Sequence, residues 1–457
     1  MRIGLINTNR LRPPVAPIAL DYLAEALDAA GQAVSLLDLC WEEDPEAAIG
    51  RFLAEEECGL VGMTLRNTDD CAYPNRGSHL PGFARMVAAV RRASDAPIVL
   101  GGVGFSVMPG KILELTGADY GIWGEGEFVL PELARRLERQ LPVEGLPGLV
   151  WPENGVWKRN PPRFGRLDRL PRMRRRWLDN GRYFREGGQA GFETQRGCSG
   201  RCIYCADPVA KGRRVRRRPP EAVADEIEHL LGQGIDVLHT CDGEFNLSET
   251  HALDVCREIA RRGLGERLRW YAYCSPVPFS RGLARAMRAA GCAGIDFGAD
   301  HGDGSMLKRL GRGHVPADVV DAVGNAREEG MAVMVDLLLG APGETLRGIE
   351  RTVEMVRRAG ADLAGVSLGV RVFPGTPLAA QLGWNAGVEP AFFLEPEIAG
   401  SVFERLDALI GADPKFLFFD PSRPKRNYNY DSNERLVEAI GKGCRGAFWD
   451  ILRTYAG

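Results

Sequence analysis

The first 140 residues alternate short apolar runs with stretches that carry apolar residues at helical spacing. Runs that are apolar throughout are typical of strands buried on both faces, and such strands form parallel sheets covered by helices. The pattern therefore predicts an α/β domain over residues 1–140, with a doubly wound sheet of Rossmann or flavodoxin type. The predicted strands are residues 3–6, 34–39, 60–65, 97–100 and 119–122, and the predicted helices are residues 17–30, 45–56, 80–93, 109–116 and 127–139.

The periodicity fails between residues 141 and 190, where proline, glycine and arginine dominate. We expect a linker there, with a small hairpin around residues 151–157. The linker contains a basic run at residues 172–176. Because a short run of this kind more often faces solvent or a neighbouring domain than nucleic acid, no nucleic-acid partner is expected.

A second series of strand and helix patterns occupies residues 191–385. Its predicted strands are residues 192–195, 237–240, 268–273, 294–297, 333–339 and 366–372. Each of the first five is followed by a helical pattern, which predicts a (β/α)6 partial TIM barrel with its active site at the carboxyl ends of the strands. Residues 386–457 remain as a C-terminal capping segment, with aromatic residues concentrated at 416–430.

Composition narrows the class of protein without identifying its chemistry. The 457 residues are 45% hydrophobic and carry a formal net charge of -3, which excludes a disordered chain and a strongly basic nucleic-acid binder. No stretch approaches the ~20 apolar residues of a membrane span, and the first residues lack the build of a signal peptide, which predicts a cytoplasmic protein. The odd number of cysteines, eleven, then favours free thiols or metal ligands over disulfides.

Three of these cysteines, Cys198, Cys202 and Cys205, lie together directly after the first predicted barrel strand. Three thiolates on a four-iron cluster leave one iron without a protein ligand, and that iron can bind a substrate or a cofactor. A structural zinc site would need a fourth ligand, but the nearest histidines, His229 and His239, lie on a predicted helix and a predicted strand. The spacing therefore favours a 4Fe-4S cluster over zinc.

The order Cys-x-x-x-Cys-x-aromatic-Cys after the first strand of a barrel resembles the radical S-adenosylmethionine (SAM) superfamily. The resemblance implies that the open iron holds the amino and carboxylate groups of SAM. It also implies contacts with SAM from the ends of later strands, at the methionyl amine, the ribose, the adenine and a carboxylate. The residues implied for SAM are Tyr204, Asp242, Glu244, Asn246, Asp300, Gly340 and Arg371.

In the same superfamily a doubly wound domain ahead of the barrel often binds cobalamin, and the N-terminal region here is similar. Glycine turns let the backbone approach a flat macrocycle and its nucleotide tail. A nucleotide is the alternative ligand, but residues 101–104 lack the full dinucleotide-binding spacing. The residues that the resemblance implies for cobalamin are Thr64, Arg66, Gly101, Gly102, Gly104, Gly124, Gly126 and Glu127.

The predicted cobalamin domain lacks the Asp-x-His-x-x-Gly motif that supplies an axial histidine, and its one histidine is His79. Arg66 follows the third strand, where the lower face of the corrin would rest. A cation there cannot ligate cobalt, and we expect it to favour low-coordinate cobalt and to ease methyl transfer. Arg66 is therefore predicted to be catalytic together with the three clustered cysteines. The alternative is that Arg66 pairs with Asp69 or Asp70 on a surface loop.

Three functions fit these features. The first, which the sequence favours, is a cobalamin-dependent radical SAM enzyme that transfers a methyl group from SAM through methylcobalamin to a small-molecule substrate, with electrons from a donor such as flavodoxin or ferredoxin. The second transfers the 3-amino-3-carboxypropyl group of SAM to a soft acceptor such as trivalent arsenic. Cys71, Cys241 and Cys274 would bind that acceptor, unless they only pack as buried apolar residues. The third is a cobalamin sensor or carrier with a structural cluster.

Overall fold

The computed structural model of the protein describes residues 1–384 and 387–455. The first seven strands are β1 (Arg2–Asn7), β2 (Ala33–Asp38), β3 (Leu60–Thr64), β4 (Ile98–Gly101), β5 (Tyr120–Ile122), β6 (Leu149–Glu153) and β7 (Val156–Arg159). They form one sheet in the order β2-β1-β3-β4-β5-β6-β7, in which β1 to β5 run parallel and β6 and β7 antiparallel. The helices between them are α1 (Ile18–Ala29), α2 (Pro45–Glu55), α3 (Leu80–Ala93), α4 (Val103–Val107), α5 (Pro109–Thr116) and α6 (Leu130–Glu138).

Both faces of this first sheet are covered by helices, as its apolar strands predict. Residues of β1 alternate between the two faces: Ile3 and Leu5 pack with α1 and α6, whereas Ile6 packs with α2 and α3. The predicted doubly wound α/β fold is therefore confirmed. The carboxyl ends of β1, β3, β4 and β5 meet at one edge, which is where ligands bind in such sheets.

The second large sheet contains β8 (Ala190–Phe192), β11 (Val237–Thr240), β12 (Arg269–Cys274), β13 (Cys292–Asp300), β14 (Ala332–Leu339), β15 (Leu363–Leu368) and β18 (Phe416–Phe418). All seven run parallel in the order β18-β15-β14-β13-β12-β11-β8, and the two edge strands do not pair with each other in the part of the chain that the structure describes. This open barrel confirms the predicted partial barrel. Two short ribbons join β9 (Gln195–Arg196) to β10 (Arg216–Arg217) and β16 (Val370–Val372) to β17 (Ala391–Phe393).

Thirteen further helices accompany the barrel sheet in the described residues. Those up to the middle of the barrel are α7 (Asn180–Gly187), α8 (Asp207–Lys211), α9 (Pro220–Gly232), α10 (Glu249–Arg261), α11 (Arg281–Ala289) and α12 (Gly304–Leu310). Those that follow are α13 (Pro316–Glu328), α14 (Leu346–Ala359), α15 (Pro377–Gln381), α16 (Pro396–Ala399), α17 (Val402–Ile410), α18 (Glu434–Gly441) and α19 (Phe448–Thr454). Across 1–384 and 387–455, no helix combines the length and the apolar character that crossing a bilayer requires.

Two predicted barrel strands are interrupted in the structure. The predicted strand at 366–372 is divided, because the chain leaves β15 at Leu368 and turns at Gly369 into the β16 ribbon. Gly369 has φ +79, and a Cβ there would lie 2.7 Å from the ring of Tyr73 in the first domain, so only glycine fits. The predicted strand at 192–195 is likewise divided between β8 and β9.

The segments outside the two predicted domains join their sheets. The hairpin expected near residues 151–157 is confirmed as β6 and β7, but it extends the first sheet, so residues 141–190 are not only a linker. The C-terminal segment adds β18 to the barrel sheet, and α19 packs Trp449 under the barrel interior beside Tyr271. The predicted boundary between residues 385 and 386 lies outside the described residues.

A buried ion network around Arg175 connects the two halves of the chain. Arg175 donates to Asp21 of α1 at 2.9 Å and to Glu226 of α9 at 2.9 Å, and all three side chains are inaccessible to solvent. Arg218 also pairs with Glu226. Removal of one partner from such a network leaves a buried charge uncompensated, at a cost of about 3–5 kcal/mol. This part of the basic run therefore holds the first domain against the barrel.

Candidate active site

Residues 198–205, the cysteine loop, connect β9 to α8 at the carboxyl end of β8. The N–H of Gly200 donates to Cys198 Sγ at 3.3 Å. A Cβ at Gly200 would lie 3.2 Å from Cys198 Sγ and 3.8 Å from Cys202 Sγ, so the glycine leaves the space between these two thiols free. Burial raises the pKa of both thiols, and a bound metal would have to displace their protons.

The three thiols of the cysteine loop suit a cluster better than a single metal ion. All three are free and partly exposed. Within residues 1–384 and 387–455, no three His, Cys, Asp or Glu side chains are placed to hold one metal ion. His239 lies on β11, where its ring packs against Tyr273 with the ring centres 4.8 Å apart and its Nδ1 bonds to the carbonyl oxygen of Thr240. Cysteines on a four-iron cluster bind different irons and need not meet at one point, so the loop fits a 4Fe-4S cluster.

Arg312, which sequence reasoning missed, lies beside the cysteine loop after α12. Its side chain is 8% exposed. Nη1 donates to Cys202 Sγ at 3.3 Å, Nη2 donates to Glu244 Oε1 at 3.3 Å, and Nε lies 3.4 Å from Asp300 Oδ2. Burial opposes the positive charge, but Asp300 and the other acidic groups outweigh it and raise the pKa of Arg312. The guanidinium thus links one thiol to two carboxylates.

The sequence holds one local signal for Arg312, which is its position between two glycines. Gly311 has φ +76, and a Cβ there would lie 2.3 Å from the carbonyl oxygen of Arg201 in the cysteine loop. Only glycine lets the turn approach the loop so closely. A glycine-flanked arginine after a barrel helix therefore indicates a close contact, although it does not identify the partner.

Two carboxylates converge beside Arg312 at the carboxyl ends of β11 and β13. Burial raises the pKa of Glu244, and Arg312 partly offsets this rise. Asp300 accepts a hydrogen bond from the hydroxyl of Tyr204 in the cysteine loop. Asp300 has φ +57, a left-handed conformation that costs a non-glycine residue about 1–3 kcal/mol. Strain of this kind clusters at functional sites. The structure also brings the predicted residues Tyr204, Glu244 and Asp300 together beside the cysteine loop.

Two other residues predicted to contact SAM are used inside the fold instead. Asp242 accepts from the backbone N–H of Thr194 at 2.8 Å and of Gln195 at 3.1 Å, and from the Thr194 hydroxyl. Burial raises the pKa of Asp242 to about 7. Asn246 exchanges hydrogen bonds with the backbone of Ser275 at 2.7 and 2.8 Å. Because these polar atoms already have partners, the geometry does not support a contact of Asp242 or Asn246 with SAM.

Arg371 also faces away from the cysteine loop. Its neighbours on β16, Val370 and Val372, pack on the side of Tyr204, so strand alternation turns Arg371 to the opposite side. There it pairs with Asp69 of the first domain at 2.7 Å, and its remaining N–H group donates to backbone carbonyls. The prediction that Arg371 binds a carboxylate of SAM is therefore corrected, because its partner is Asp69.

The predicted glycine turn after β14 is present. Gly340 has φ +88, and a Cβ there would lie 2.4 Å from Leu394 Cδ1. The N–H of Gly340 faces Glu344 Oε2 at 3.3 Å, and the same carboxylate contacts His301 Nε2 at 3.0 Å. Leu394 and Glu344 thus contact the turn from two sides. The predicted contact of this turn with the adenine of SAM stays a prediction.

A cavity opens at the carboxyl ends of β3, β4 and β5. Gly104 does not line it, because a Cβ there would meet the backbone of Arg66 at 3.1 Å and of Asn67 at 3.0 Å. Its position at the carboxyl edge of a doubly wound sheet fits the predicted cobalamin domain. The predicted cobalamin residues that line it are Thr64, Gly101, Gly102, Gly124, Gly126 and Glu127.

Arg66 follows β3 and faces the second half of the protein. Its Nη1 donates to the hydroxyl of Tyr430 at 3.0 Å, and its guanidinium carbon lies 5.5 Å from the centre of that ring. The alternative that Arg66 pairs with Asp69 or Asp70 is wrong: Asp69 binds Arg371, and Asp70 accepts from the N–H of Gly77 at 3.0 Å. Arg66 thus keeps its positive charge without a carboxylate partner in the described residues.

The three scattered cysteines do not assemble a site for a soft acceptor. Cys274 is 0% exposed in the barrel core. Burial raises the pKa of Cys241 to about 12, and it also raises the pKa of Cys71, whose thiol lies near Asp69. Across 1–384 and 387–455, no three His, Cys, Asp or Glu side chains are placed to hold one ion, so these thiols do not form the shared thiolate site that a soft ion prefers.

Comparison with known proteins shows the same two domains. The Radical SAM superfamily matches residues 192–356, and the B12 binding domain matches residues 4–134. Tryptophan 2-C-methyltransferase of Streptomyces laurentii is 35% identical over 444 residues, covering 83% of this chain and 74% of the relative. An uncharacterized methyltransferase of Pyrococcus horikoshii is 27% identical over 369 residues, covering 79% and 77%.

Solved structures of a related enzyme superimpose on nearly the whole of this chain. The radical S-adenosylmethionine methyltransferase TsrM of Kitasatospora setae, solved with tryptophan substrate and a SAM analog bound, is 32% identical and superimposes with a TM-score of 0.90 over 99% of this chain and 97% of its own. A second structure of that enzyme, with cobalamin and a [4Fe-4S] cluster bound, gives a TM-score of 0.89. The chain therefore belongs to the radical SAM superfamily, in the cobalamin-binding family that contains tryptophan 2-C-methyltransferase.

Proposed function

We propose that this protein is a cobalamin-dependent radical SAM methyltransferase that acts on a small molecule. The observation that carries the proposal is that the glycine-lined cavity of the first domain is also lined by barrel residues that precede and follow the cysteine loop. Arg196 and Lys211 line the cavity and flank the cysteine loop on its two sides in the sequence. This arrangement supports two cofactor sites that open on one cleft between the domains.

When bound, the cluster would hold and activate SAM, and cobalamin would carry the methyl group to the substrate. The three cysteines of the loop would supply the thiolate ligands. Glu244 would accept hydrogen bonds from the amino group of SAM, and Asp300 would accept them from its ribose. Arg312 would orient both acids, because it contacts both, and it partly offsets the rise that burial causes in the pKa of Glu244.

Arg66 would lie at the lower face of the corrin. A guanidinium offers N–H donors but no lone pair, so it cannot become a cobalt ligand. Its position at the end of β3 is set by Gly104, whose N–H donates to the carbonyl oxygen of Arg66 at 3.0 Å. Arg66 would therefore keep the lower face free of a protein ligand.

The substrate is proposed to be a small molecule, and tryptophan is the first candidate because it is bound in the solved structure of the relative. A low-potential protein such as flavodoxin or ferredoxin would supply electrons.

Anaerobic reconstitution with iron, sulfide and hydroxocobalamin tests the proposal. We expect the visible spectrum of a corrin and a cluster, and formation of S-adenosylhomocysteine from SAM with a reductant. Methylthioadenosine would support transfer of the aminocarboxypropyl group instead, and retention of cobalamin without consumption of SAM would support a sensor or carrier. A protein that retains no corrin would overturn the proposal.

A further inference from the structure

The chain around the cysteine loop carries an excess of positive charge. Residues 196–214 contain five cationic side chains and one acid, in a protein whose formal net charge is -3. Two of the cations are paired with acids, Arg196 with Glu127 and Lys211 with Asp207. The other three are exposed and form no ion pair in the described residues: Arg201, Arg213 and Arg214. The uncompensated charge of this segment therefore faces solvent.

Arg213 is connected to a thiol of the cysteine loop through one residue. Its Nη1 donates to the carbonyl oxygen of Gly200 at 3.4 Å, and the N–H of Gly200 donates to Cys198 Sγ at 3.3 Å. The backbone is also close, because the N–H of Cys198 donates to the carbonyl oxygen of Gly212 at 3.1 Å. The residue between Cys198 and Gly200 is a small one, Ser199, and it is exposed. Two hydrogen bonds therefore connect a surface guanidinium to a proposed cluster ligand.

A fourth arginine extends this surface on the other side of the cysteine loop. The C-terminal end of α12 packs against the loop, because the N–H of Ile203 donates to the carbonyl oxygen of Leu310 at 3.0 Å. Arg309 precedes this contact, is exposed and forms no ion pair in the described residues. Its Nη1 lies over Gly343, where a Cβ would be 2.6 Å away. We call the four exposed arginines the basic face: Arg201, Arg213, Arg214 and Arg309.

The carboxylates around the basic face already have partners. Glu244 and Asp300 both pair with Arg312, behind the cysteine loop. Glu395 accepts from the N–H of Gly343 at 2.6 Å. A guanidinium has five N–H donors in a planar fork that fits a carboxylate or a phosphate group, and here the fold supplies neither. The basic face is therefore free to bind an acidic partner from outside the chain.

Charge and position both favour an acidic protein over a nucleic acid as this partner. A protein that neutralises about 6–10 phosphates presents a broad basic surface, whereas the basic face has four arginines in a chain with a net charge of -3. An acidic protein is repelled by the chain as a whole and attracted at this face, so the charges orient its approach. Transient redox complexes use small interfaces of this kind.

We propose that the basic face is the docking surface of an acidic, low-potential electron-carrier protein. In each encounter the reduced flavin or iron–sulfur centre of the carrier would lose one electron, the cluster at the cysteine loop would gain it, and no covalent bond would form or break. Lys211, two positions before Arg213, lines the cavity proposed for cobalamin, so a carrier docked here is near both cofactor sites. The inference rests on the proposed function, which requires an electron donor, and it adds where that donor binds.

The test is the rate at which reduced flavodoxin, an acidic flavoprotein, transfers an electron to the reconstituted holoenzyme, measured by stopped-flow absorbance of the flavin. Because attraction between opposite charges raises association rates and salt screens it, we expect the second-order rate constant of the wild-type protein to fall about tenfold from low to physiological salt. Arg213→Glu and Arg309→Glu should each lower the rate constant at low salt by about fivefold.

Two controls separate docking from other effects. Arg358→Glu makes the same change of charge on an exposed residue at the C-terminal end of α14, at the other end of the barrel, and should keep the wild-type rate constant. Reduced methyl viologen is a small cation that needs no docking surface. It should reduce every variant at least as fast as the wild-type protein, which shows that the cluster site is intact.

A rate constant that does not depend on salt, or that is unchanged in both Glu variants, would overturn the inference. Binding of a single-stranded oligonucleotide that the Glu variants lose while flavodoxin still reduces them at the wild-type rate would overturn it as well. The salt dependence is measured on the wild-type protein, so misfolding of a variant cannot conceal the answer. Formation of S-adenosylhomocysteine with methyl viologen as reductant tests the proposed function separately. Its absence from a protein that flavodoxin reduces through the basic face would overturn the proposed function and leave the docking surface standing.

Discussion

The first domain and the barrel prepare their candidate binding surfaces in different ways. In the first domain the surface is mostly backbone: Gly102 has φ +100, and a Cβ there would lie 2.4 Å from the carbonyl oxygen of Leu65. In the barrel the surface is a network of charged side chains in which Arg312 contacts Cys202 and Glu244. A backbone surface provides shape, whereas a charged network sets the charge and the protonation of the site. Substitutions in the first domain should therefore change the shape of its binding surface, whereas substitutions in the barrel should change the charge and the protonation of its site.

The largest expected effect lies in the barrel, at Cys202. Replacement by Ala removes a cluster ligand and the acceptor for Arg312 Nη1, so we expect no stable cluster and no S-adenosylhomocysteine. Iron content and the visible spectrum after anaerobic reconstitution measure the first effect. Cys444→Ala, outside both sites, should reconstitute as the wild-type protein does. A full cluster in Cys202→Ala would contradict the ligand assignment.

Arg312→Met should keep the cluster but lower kcat/KM for SAM by about 100-fold, because it removes a preorganised charge beside Glu244 and Asp300. The pKa of Glu244 would then be higher, since the cation that lowers it is gone. Initial rates of S-adenosylhomocysteine formation measure the change. Lys308→Met, exposed on α12, is the control for loss of one positive charge. An unchanged kcat/KM in Arg312→Met would leave Arg312 a purely structural residue.

Gly102→Ala tests the backbone surface of the first domain. The added Cβ meets a carbonyl oxygen in a left-handed backbone conformation, so we expect a loss of about 1–3 kcal/mol in stability and weaker retention of cobalamin. Thermal unfolding and cobalamin content after gel filtration measure the two effects. Gly110→Ala on α5, where no atom lies within 4 Å of the new Cβ, should change neither. If the Gly102→Ala variant were as stable as the wild-type protein, the turn at residue 102 would be able to relax around the added Cβ.

The smallest effect on stability is expected at Arg66, which is half-buried and bonded to one phenol. Arg66→His should retain cobalamin and place an imidazole where the guanidinium was. If Arg66 faces the lower side of the corrin, the reduced holoprotein should show nitrogen splitting in its electron paramagnetic resonance spectrum, and wild type should not. Identical spectra of the two proteins would place Arg66 away from cobalt. Arg10→His, on an exposed loop of the same domain, is the control.

The elements that sequence reasoning located are those with a local signal. Four predicted helices match within a residue or two, because each carries its apolar residues on one face: α1, α2, α3 and α5. The interruption at Gly369 escaped prediction, because the reason for it is Tyr73 in the other domain. Asp242 has the residue type expected of a site, but Thr194 and Gln195 already donate to both of its carboxyl oxygens.

The sequence by itself determined the order of strands and helices, the cysteine loop and the glycine turns, because apolar spacing, thiol spacing and glycine are readable within a few neighbouring positions. Only the tertiary structure decided which charges meet. Arg312 and Cys202 are 110 positions apart, and Arg371 and Asp69 are 302 apart. Such ion pairs depend on which strands and loops lie side by side, and no local pattern carries that information.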